Sequence, residues 1–272
     1  MKLLAVIGDP IAHSKSPLIH SLFSRETGVG VSYEAIRVTE SELQQFIPEF
    51  FSQNGSGLNV TVPHKQAAYG LCKTLTSRAR LAEAVNTLWL ENGELQGDNT
   101  DGIGMVRDIH VNNGIPIEGL NILVLGAGGA VRGILGPLLD CHPGAVHIAN
   151  RTEKKADELA VRFSSLGDLS SSNFDEIPGK SYDLIINGTS AGLNDEVPPI
   201  SASLVTPITV CYDMLYGPGG TTFTRWGRQG GAKHTLDGLG MLVEQAAESF
   251  FIWTGHRPQT RRVIDMLRTG GN

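Results

Sequence analysis

A lysine and an aspartate are the residues in this sequence best suited to transferring a proton. Lys65 follows the apolar run Asn59–Val62 by about one helical turn, and Asp101 ends the carboxylate-rich loop Asp98–Asp101. Hydride transfer to a ketone leaves an alkoxide, and a lysine can donate the proton and stabilise the developing negative charge. The alternatives are an exposed lysine at a helix start and an aspartate that caps a helix beginning near Gly102.

A source of hydride is indicated by a glycine-rich segment between two apolar runs. Asn121–Leu125 leads directly into Gly126-Ala127-Gly128-Gly129-Ala130, and the second run, Ala145–Ala149, ends at Asn150-Arg151-Thr152. Strand, glycine turn, helix and strand in this order form a βαβ unit that can hold a dinucleotide.

Each glycine of this turn has a physical role in the predicted unit. Gly126 permits the tight turn, and Gly128 lets the backbone approach a pyrophosphate closely. The free N–H groups that open the next helix then face the phosphate charge. Val131 stands at the third position of the pattern, where glycine or alanine is usual.

The residue after the second strand of this unit indicates which nicotinamide cofactor is used. NAD-binding proteins usually place an acidic residue there, which binds the ribose hydroxyl. Here the position holds Arg151, followed by Lys154 and Lys155. Because a guanidinium can bind a 2′-phosphate through two charge-assisted hydrogen bonds, the sequence predicts NADP. The alternative is an ordinary glycine turn of an α/β sheet with solvated basic residues at the next helix.

Composition excludes several other classes of protein. The net charge of −6 over 272 residues weighs against a general nucleic-acid surface, which needs clustered Lys and Arg. Cys72, Cys141 and Cys211 are far apart and the histidines form no metal-binding pair, so we expect reduced thiols and no metal. No apolar run approaches membrane-spanning length. These features favour a cytoplasmic enzyme with a small-molecule substrate and no membrane partner.

Alternating apolar runs and amphipathic segments predict two α/β domains. The first covers residues 1–101 and is completed by helices within 239–272, and the second, residues 102–238, is a doubly wound Rossmann-type sheet of six strands. The predicted strands are Leu3–Ile7, Val31–Val38, Gly57–Val62, Thr87–Leu90, Leu95–Gly97, Asn121–Leu125, Ala145–Ala149, Leu184–Asn187, Val210–Asp213 and Lys233–Thr235. The predicted helices begin near Pro17, at a Thr39–Glu42 capping box, at His64, Thr76, Ile103, Leu239 and Thr260, with a further helix after the glycine turn.

A series of segments, in order over essentially the whole chain, resembles the shikimate dehydrogenases. They are Gly8–Pro17, Asn59–Lys65, Ala84–Thr87, Gly97–Gly102, the turn at Gly126, Asn150–Thr152, Cys211–Met214 and Asp237–Leu242. The resemblance implies a reversible, NADP-dependent reduction of 3-dehydroshikimate to shikimate in aromatic amino acid biosynthesis. It also implies an active site in a cleft between the two domains.

The resemblance implies roles for individual residues. Lys65 and Asp101 form the catalytic pair, Ser14 and Ser16 hold the substrate carboxylate with Tyr216, and Thr61, Asn86 and Gln245 join the pair in binding ring hydroxyls. The cofactor-binding residues implied are Gly126, Ala127, Gly128, Gly129, Ala130, Asn150, Arg151, Thr152, Lys155, Met214 and Gly238. Lys155 stands where the family often has arginine, and Ser77 where it often has an acidic residue. Lysine keeps the charge of arginine but lacks its planar fork, so we expect a weaker phosphate contact from Lys155.

Three questions stay open at this level. Ser14 and Ser16, considered without the resemblance, are better explained as turn residues around Lys15. Gln245 shares the predicted apolar helix face of Leu242, so its amide needs a partner, which is either a ligand hydroxyl or a backbone carbonyl. The competing functions are an enzyme of the same fold that acts on quinate or on both acids, with NADP or NAD, and a non-catalytic NADPH-binding or substrate-sensing module. A homodimer is one of the oligomeric states that the sequence leaves open.

Overall fold

The structure of the protein is a computed structural model that describes residues 1–270. Its strands are β1 (Lys2–Gly8), β2 (Val31–Arg37), β3 (Gly55–Val60), β4 (Thr74–Leu75), β5 (Thr87–Glu91), β6 (Glu94–Asp98), β7 (Asn121–Leu125), β8 (Ala145–Ala149), β9 (Leu169–Ser172), β10 (Leu184–Asn187), β11 (Val210–Asp213) and β12 (His234–Leu236). Its α-helices are α1 (Ser16–Thr27), α2 (Leu43–Ser52), α3 (Lys65–Leu71), α4 (Ser77–Ala82), α5 (Asp101–Arg107), α6 (Gly129–Leu139), α7 (Glu153–Phe163), α8 (Thr222–Gln229), α9 (Leu239–Thr254) and α10 (Arg261–Arg268). A π-helix, Asp108–Asn112, continues α5 where the sequence pattern predicts one uninterrupted helix.

The chain divides into two compact units, each built on its own sheet. The first unit comprises Met1–Gly104 together with the segment from Leu242 onward, and the second comprises Met105–Met241. This α/β architecture of two sheets is the predicted fold class.

The first unit contains a mixed sheet in the order β2-β1-β3-β5-β6-β4. Strand β1 pairs in parallel with β2 and β3, whereas β5 runs antiparallel to both β3 and β6. Asn59 lies opposite Thr87, and Thr87 lies opposite Asp98. The segments that follow β3 and β6 and the segment that precedes β5 therefore emerge at one edge of the sheet.

The second unit contains a fully parallel sheet in the order β12-β11-β10-β7-β8-β9, which is the doubly wound order predicted for dinucleotide binding. Leu125 pairs with Ala149 on one side and with Asn187 on the other, and Asn187 pairs with Asp213. The carboxyl ends of the four central strands are thus in register. Loops that follow these strands begin at the same edge, where ligands bind in sheets of this kind.

Strand β9 is the one strand of this sheet that the sequence pattern does not locate. Its residues, Leu-Ser-Ser-Ser, lack the apolar character of the other strands. It is an edge strand that pairs only with β8, and its serine hydroxyls bind the two ring nitrogens of His147 at 2.8 Å and 2.9 Å. A buried histidine therefore takes the place of an apolar contact between these two strands.

The capping box predicted at the start of α2 forms only in part. The Glu42 carboxylate accepts from the Thr39 backbone N–H at 2.8 Å and from the Thr39 hydroxyl at 2.7 Å. A complete box would have the Thr39 hydroxyl accept from the backbone N–H of Glu42, which instead donates to the Thr39 carbonyl at 3.1 Å. The segment before α2 is therefore a turn, and the helix begins at Leu43.

A neutral histidine is buried in the core between α1 and β2. The His20 ring stacks on the Tyr33 ring with 4.0 Å between centroids, and it lies edge-on to Phe23. Within residues 1–270, neither of its ring nitrogens has a hydrogen-bond partner. Because the charged form would lose its hydration without gaining a counter-charge, burial lowers the pKa of His20 from 6.5 to about 3.

Acid is expected to destabilise the protein through His20. Between about pH 6.5 and pH 3 the unfolded chain binds a proton at this residue and the folded chain does not, so the free energy of unfolding falls as the pH is lowered through this range. His20→Phe keeps an aromatic ring against Tyr33 and removes the titrating group. In urea denaturation at pH 7 and pH 5, the wild type should lose about 2 kcal/mol more stability than the variant. Equal losses in the two proteins would contradict a neutral buried His20.

Candidate active site

Lys65 and Asp101 form an ion pair in the first unit. Lys65 is the first residue of α3 and Asp101 the first residue of α5, and the distance from Lys65 Nζ to Asp101 Oδ2 is 2.5 Å. The lysine side chain is 27% exposed and the aspartate side chain 12%, so the pair is accessible from solvent on the lysine side. The Asp101 carboxylate thus contacts a cation rather than serving only as a helix cap.

The pairing of the strands explains why these two residues meet. Lys65 lies just beyond the end of β3, and Asp101 just beyond the end of β6, at the edge that these two strands share with the start of β5. Two backbone hydrogen bonds join the connecting segments: Val85 N–H donates to the Lys65 carbonyl at 3.0 Å, and Asn86 N–H donates to the Asp98 carbonyl at 2.9 Å. Main-chain geometry therefore sets the separation of the lysine and the aspartate.

Asn86 and Gln245 extend the ion pair into a cluster of four side chains. Asn86 Nδ2 donates to Asp101 Oδ1 at 2.9 Å and to Gln245 Oε1 at 3.2 Å. Gln245 Nε2 donates to the backbone carbonyl of Leu242 at 2.8 Å, which is one of the two partners that the sequence left open. The structure thus brings together Lys65, Asp101, Asn86 and Gln245. Within this cluster the Gln245 amide oxygen accepts from Asn86, and the Gln245 amide nitrogen donates to the Leu242 carbonyl.

A charged network that the sequence analysis misses anchors the loop carrying Asp101. Asp98 is buried, and its carboxylate accepts from Arg78 Nε at 2.8 Å, from the Thr76 hydroxyl at 2.5 Å and from the Asn99 N–H at 2.7 Å. Arg78 also binds Glu248 on α9 at 3.2 Å, and Glu248 accepts from Arg257 as well. No spacing in the sequence joins these residues, because Arg78 lies 20 residues from Asp98 and 170 residues from Glu248.

The predicted carboxylate-binding serines lie in the turn between β1 and α1. Ser14 Oγ accepts from the Ser16 N–H at 3.2 Å, so Ser14 also has the turn role that the sequence left open. Ser16 is buried at the first position of α1, and Thr61 directly follows β3, with its N–H bound to the Ile7 carbonyl at 2.9 Å. These residues share one sheet edge because β1 and β3 are parallel neighbours. Tyr216 belongs to the second unit, in the loop after β11, and is partly exposed.

The glycine turn after β7 has the geometry predicted for phosphate binding. Gly126 has a φ of +104°, a backbone conformation that strongly favours glycine, and its N–H donates to the Ala149 carbonyl at 2.8 Å. Gly128 and Gly129 are exposed, and a Cβ atom at either position would meet no atom within 4 Å. Helix α6 begins at Gly129, so the N–H groups of its first turn, with Ala130, face this open space.

The structure explains why valine is tolerated at the third position of the glycine pattern. The third small residue normally allows the helix to pack closely on the strand. Here Gly188, the first residue after β10, provides the space instead, because a Cβ atom there would overlap the Val131 methyl group and lie 3.0 Å from Met214 Sδ. The small residue that allows close packing here is therefore Gly188, which lies outside the glycine pattern of the turn.

The remaining cofactor-binding residues predicted lie in loops at the same edge of the second sheet. Asn150 Nδ2 donates to the Thr152 carbonyl at 2.8 Å, which holds the loop after β8, and Arg151 and Lys155 are exposed there. Met214 follows β11, and its N–H donates to the Asn187 carbonyl at 2.9 Å. Gly238 packs against the Met214 carbonyl so closely that a side chain would not fit. Ala127 is buried in the turn, and Ser77, in the first unit, is exposed.

Two features are absent from the described part of the chain, residues 1–270. No helix in it is both long enough and apolar enough to cross a membrane. No cluster of three or more His, Cys, Asp or Glu side chains in it is arranged to hold a metal ion.

Three family models match successive parts of the chain. The shikimate dehydrogenase substrate binding domain matches residues 6–88, the shikimate/quinate 5-dehydrogenase model residues 111–194, and the shikimate 5′-dehydrogenase C-terminal domain residues 238–268.

Individual relatives match over nearly the full length. A shikimate dehydrogenase (NADP(+)) from Marinobacter nauticus is 51% identical over 271 residues, which cover 98% of each chain. The crystal structure of an Ael1 enzyme from Pseudomonas putida is 42% identical, with a TM-score of 0.94 over 98% of each chain. The structure of shikimate 5-dehydrogenase from Thermus thermophilus in complex with NADP(H) and shikimate is 32% identical, with a TM-score of 0.89 over 99% of each chain. With half of its residues identical to a relative along almost its whole length, this chain belongs to the shikimate dehydrogenase family.

Proposed function

We propose that this protein is an NADP-dependent shikimate dehydrogenase of aromatic amino acid biosynthesis, which interconverts 3-dehydroshikimate and shikimate. The observation that carries the proposal is the cluster of Lys65, Asp101, Asn86 and Gln245, which combines an ion-paired lysine with two amides. A lysine held in this way can give a proton to a carbonyl oxygen, and amides can bind ring hydroxyls. The names of the relatives support the same substrate and cofactor.

The second unit fits NADP. The open space at Gly128 and Gly129, the amides of the first turn of α6 and the exposed guanidinium of Arg151 suit a pyrophosphate and a 2′-phosphate. When bound, the reduced nicotinamide supplies a hydride to the substrate carbonyl carbon. Asn150, Thr152, Lys155, Met214 and Gly238 would complete the binding site.

The geometry of the ion pair indicates which group donates the proton in the reaction. Lys65 Nζ has three hydrogens, one of which is directed to Asp101, so the others are free to meet a substrate oxygen. As the carbonyl is reduced, Lys65 donates a proton to the developing alkoxide, and in the reverse direction it accepts the hydroxyl proton. Asp101 keeps the ammonium group in place, and Asn86 keeps Asp101 in place by donating to its second oxygen. Ser14, Ser16 and Tyr216 would bind the carboxylate, and Thr61, Asn86 and Gln245 the ring hydroxyls.

Shikimate is expected to be the preferred alcohol, with quinate a poor substrate. Quinate carries an extra hydroxyl on the carbon that bears the carboxylate, where the short hydroxyls of Ser14 and Ser16 require a close approach. A buried hydroxyl without a partner costs about 1–3 kcal/mol, which corresponds to roughly ten- to hundred-fold discrimination. Initial rates with each acid at saturating NADP give the kcat/KM ratio. Equal kcat/KM values for the two acids would instead indicate an enzyme that accepts both shikimate and quinate, in accord with the shikimate/quinate description of the matching family model.

Lys65→Ala is expected to nearly abolish turnover and to leave NADP binding intact. Loss of general acid–base catalysis typically costs about 10²–10⁴-fold in rate. Steady-state kcat for shikimate oxidation and fluorescence titration with NADPH measure the two effects. Lys73→Ala, which removes an exposed lysine of the same unit, is the matched control. A Lys65→Ala protein with nearly normal kcat would remove this lysine from the mechanism.

Arg151→Ala is expected to reduce the preference for NADP over NAD. A charge-assisted contact to the 2′-phosphate contributes roughly 1.5–3 kcal/mol, so kcat/KM with NADP should fall about ten- to hundred-fold, mainly through KM, and kcat/KM with NAD should stay the same. Arg162→Ala is the control, because Arg162 lies in the last turn of α7 and its loss changes the net charge equally. Comparable wild-type kcat/KM values for the two cofactors would contradict the assignment.

A further inference from the structure

The orientation of the Asn86 side-chain amide is determined by a backbone group. The Thr100 N–H, which can only donate, lies 2.9 Å from Asn86 Oδ1, and the Thr87 hydroxyl donates to the same oxygen at 2.9 Å. The Asn86 oxygen is therefore fully engaged inside the protein. Its nitrogen must face the opposite side, toward Asp101 and Gln245.

The orientation of the Gln245 side-chain amide is determined in the same way. The Leu242 carbonyl, which can only accept, lies 2.8 Å from Gln245 Nε2. Gln245 Oε1 therefore points toward Asn86 Nδ2, at 3.2 Å. Two amides of fixed and complementary orientation face each other beside the ion pair.

The Thr100 hydroxyl contacts both of the residues that carry these amides. It accepts from Asn86 Nδ2 at 2.9 Å, and it lies 3.1 Å from the backbone carbonyl of Gln245, to which it can donate. The Ser249 hydroxyl, one turn further along α9, lies 3.1 Å from the same carbonyl and 2.7 Å from the Thr87 hydroxyl, to which it can donate. Thr100 is fully buried, so it acts on a ligand only through the residues it holds.

The hydrogen bonds of Asn86 suggest where a substrate hydroxyl enters. Its two N–H hydrogens face three acceptors: Thr100 Oγ1 at 2.9 Å, Asp101 Oδ1 at 2.9 Å and Gln245 Oε1 at 3.2 Å. The contact with Gln245 is the longest and the easiest to replace. A ring hydroxyl can take its place by accepting from Asn86 Nδ2 and donating to Gln245 Oε1, as long as both amides keep their orientation.

We propose that Thr100 is a positioning residue for substrate recognition, which holds the Asn86 and Gln245 amides in the orientation that receives one ring hydroxyl between them. The proposal rests on the proposed function and adds a residue to it. Thr100 lies next to Asp101 in the chain, but its side chain serves the hydroxyl-binding amides.

The test removes the Thr100 hydroxyl without changing the size of the side chain. Thr100→Val should raise the KM for shikimate and lower kcat/KM about tenfold, since it deprives Asn86 of an acceptor and α9 of a donor. The KM for NADP should stay within about twofold of the wild-type value. Thr100→Ser, which keeps the hydroxyl, should restore most of the activity. If Thr100→Val does not fold, as judged by its thermal unfolding, Thr100→Ala removes the same hydroxyl.

A double-mutant cycle separates positioning from a general loss of structure. In a Gln245→Ala background one of the two amides is already missing, so Thr100→Val should lower kcat/KM for shikimate by much less than in the wild type. Equal effects in both backgrounds, or a Thr100→Val enzyme with wild-type kcat/KM for shikimate, would overturn the proposal. A wild-type protein that neither binds nor oxidises shikimate would instead refute the proposed function itself, and these variants cannot produce that result.

Discussion

The buried carboxylate of Asp98 is the constraint on which the arrangement of the first unit depends. A buried charge is tolerated only when it is paired and hydrogen-bonded, and Asp98, 2% exposed, satisfies this condition with a bidentate arginine, a hydroxyl and a backbone N–H. These partners come from Thr76, Arg78 and Asn99. These contacts attach α4 to the end of β6 and fix the path of the chain after that strand. Asp101 therefore lies beside Lys65. Arg78 extends the same network to α9 through Glu248, and α9 also carries Gln245.

Behind the ion pair lies a layer of polar side chains that satisfy one another. Thr87, Thr100 and Ser249 are fully buried hydroxyl residues, and Asn59 and Asn86 lie among them. Ser249 Oγ contacts Thr87 Oγ1 at 2.7 Å and accepts from Asn59 Nδ2 at 3.1 Å. Such a layer is costly if any member loses its partner, and this cost restricts the side chains to few conformations. The ion pair in front of it is part-buried and has hydrogens left over for a substrate.

In the second unit, the geometry of the binding edge depends on glycines that leave space for neighbouring groups. Gly126 supplies a turn that other residues rarely adopt, Gly188 makes room for Val131, and Gly238 packs on the Met214 carbonyl. The backbone amides at the start of α6 are consequently accessible for phosphate groups. Substitution at Gly188 or Gly238 would therefore affect the packing of the sheet as well as the binding edge.

Features that depend on local chain chemistry could be predicted from residue types and their spacing. The glycine turn, the arginine after the second strand and the alternation of strands and helices predicted a doubly wound sheet, and that sheet occurs in the second unit, although β9 was missed because its serines carry no apolar signal. Lys65 and Asp101 could be proposed as partners because each follows a predicted strand. The tertiary structure alone decided which groups meet Asn86, Gln245 and Asp98, because those contacts join segments up to 170 residues apart in the chain. Hydrogen-bond pairing over such separations is set by strand register and helix packing, and no local pattern of residue types encodes it.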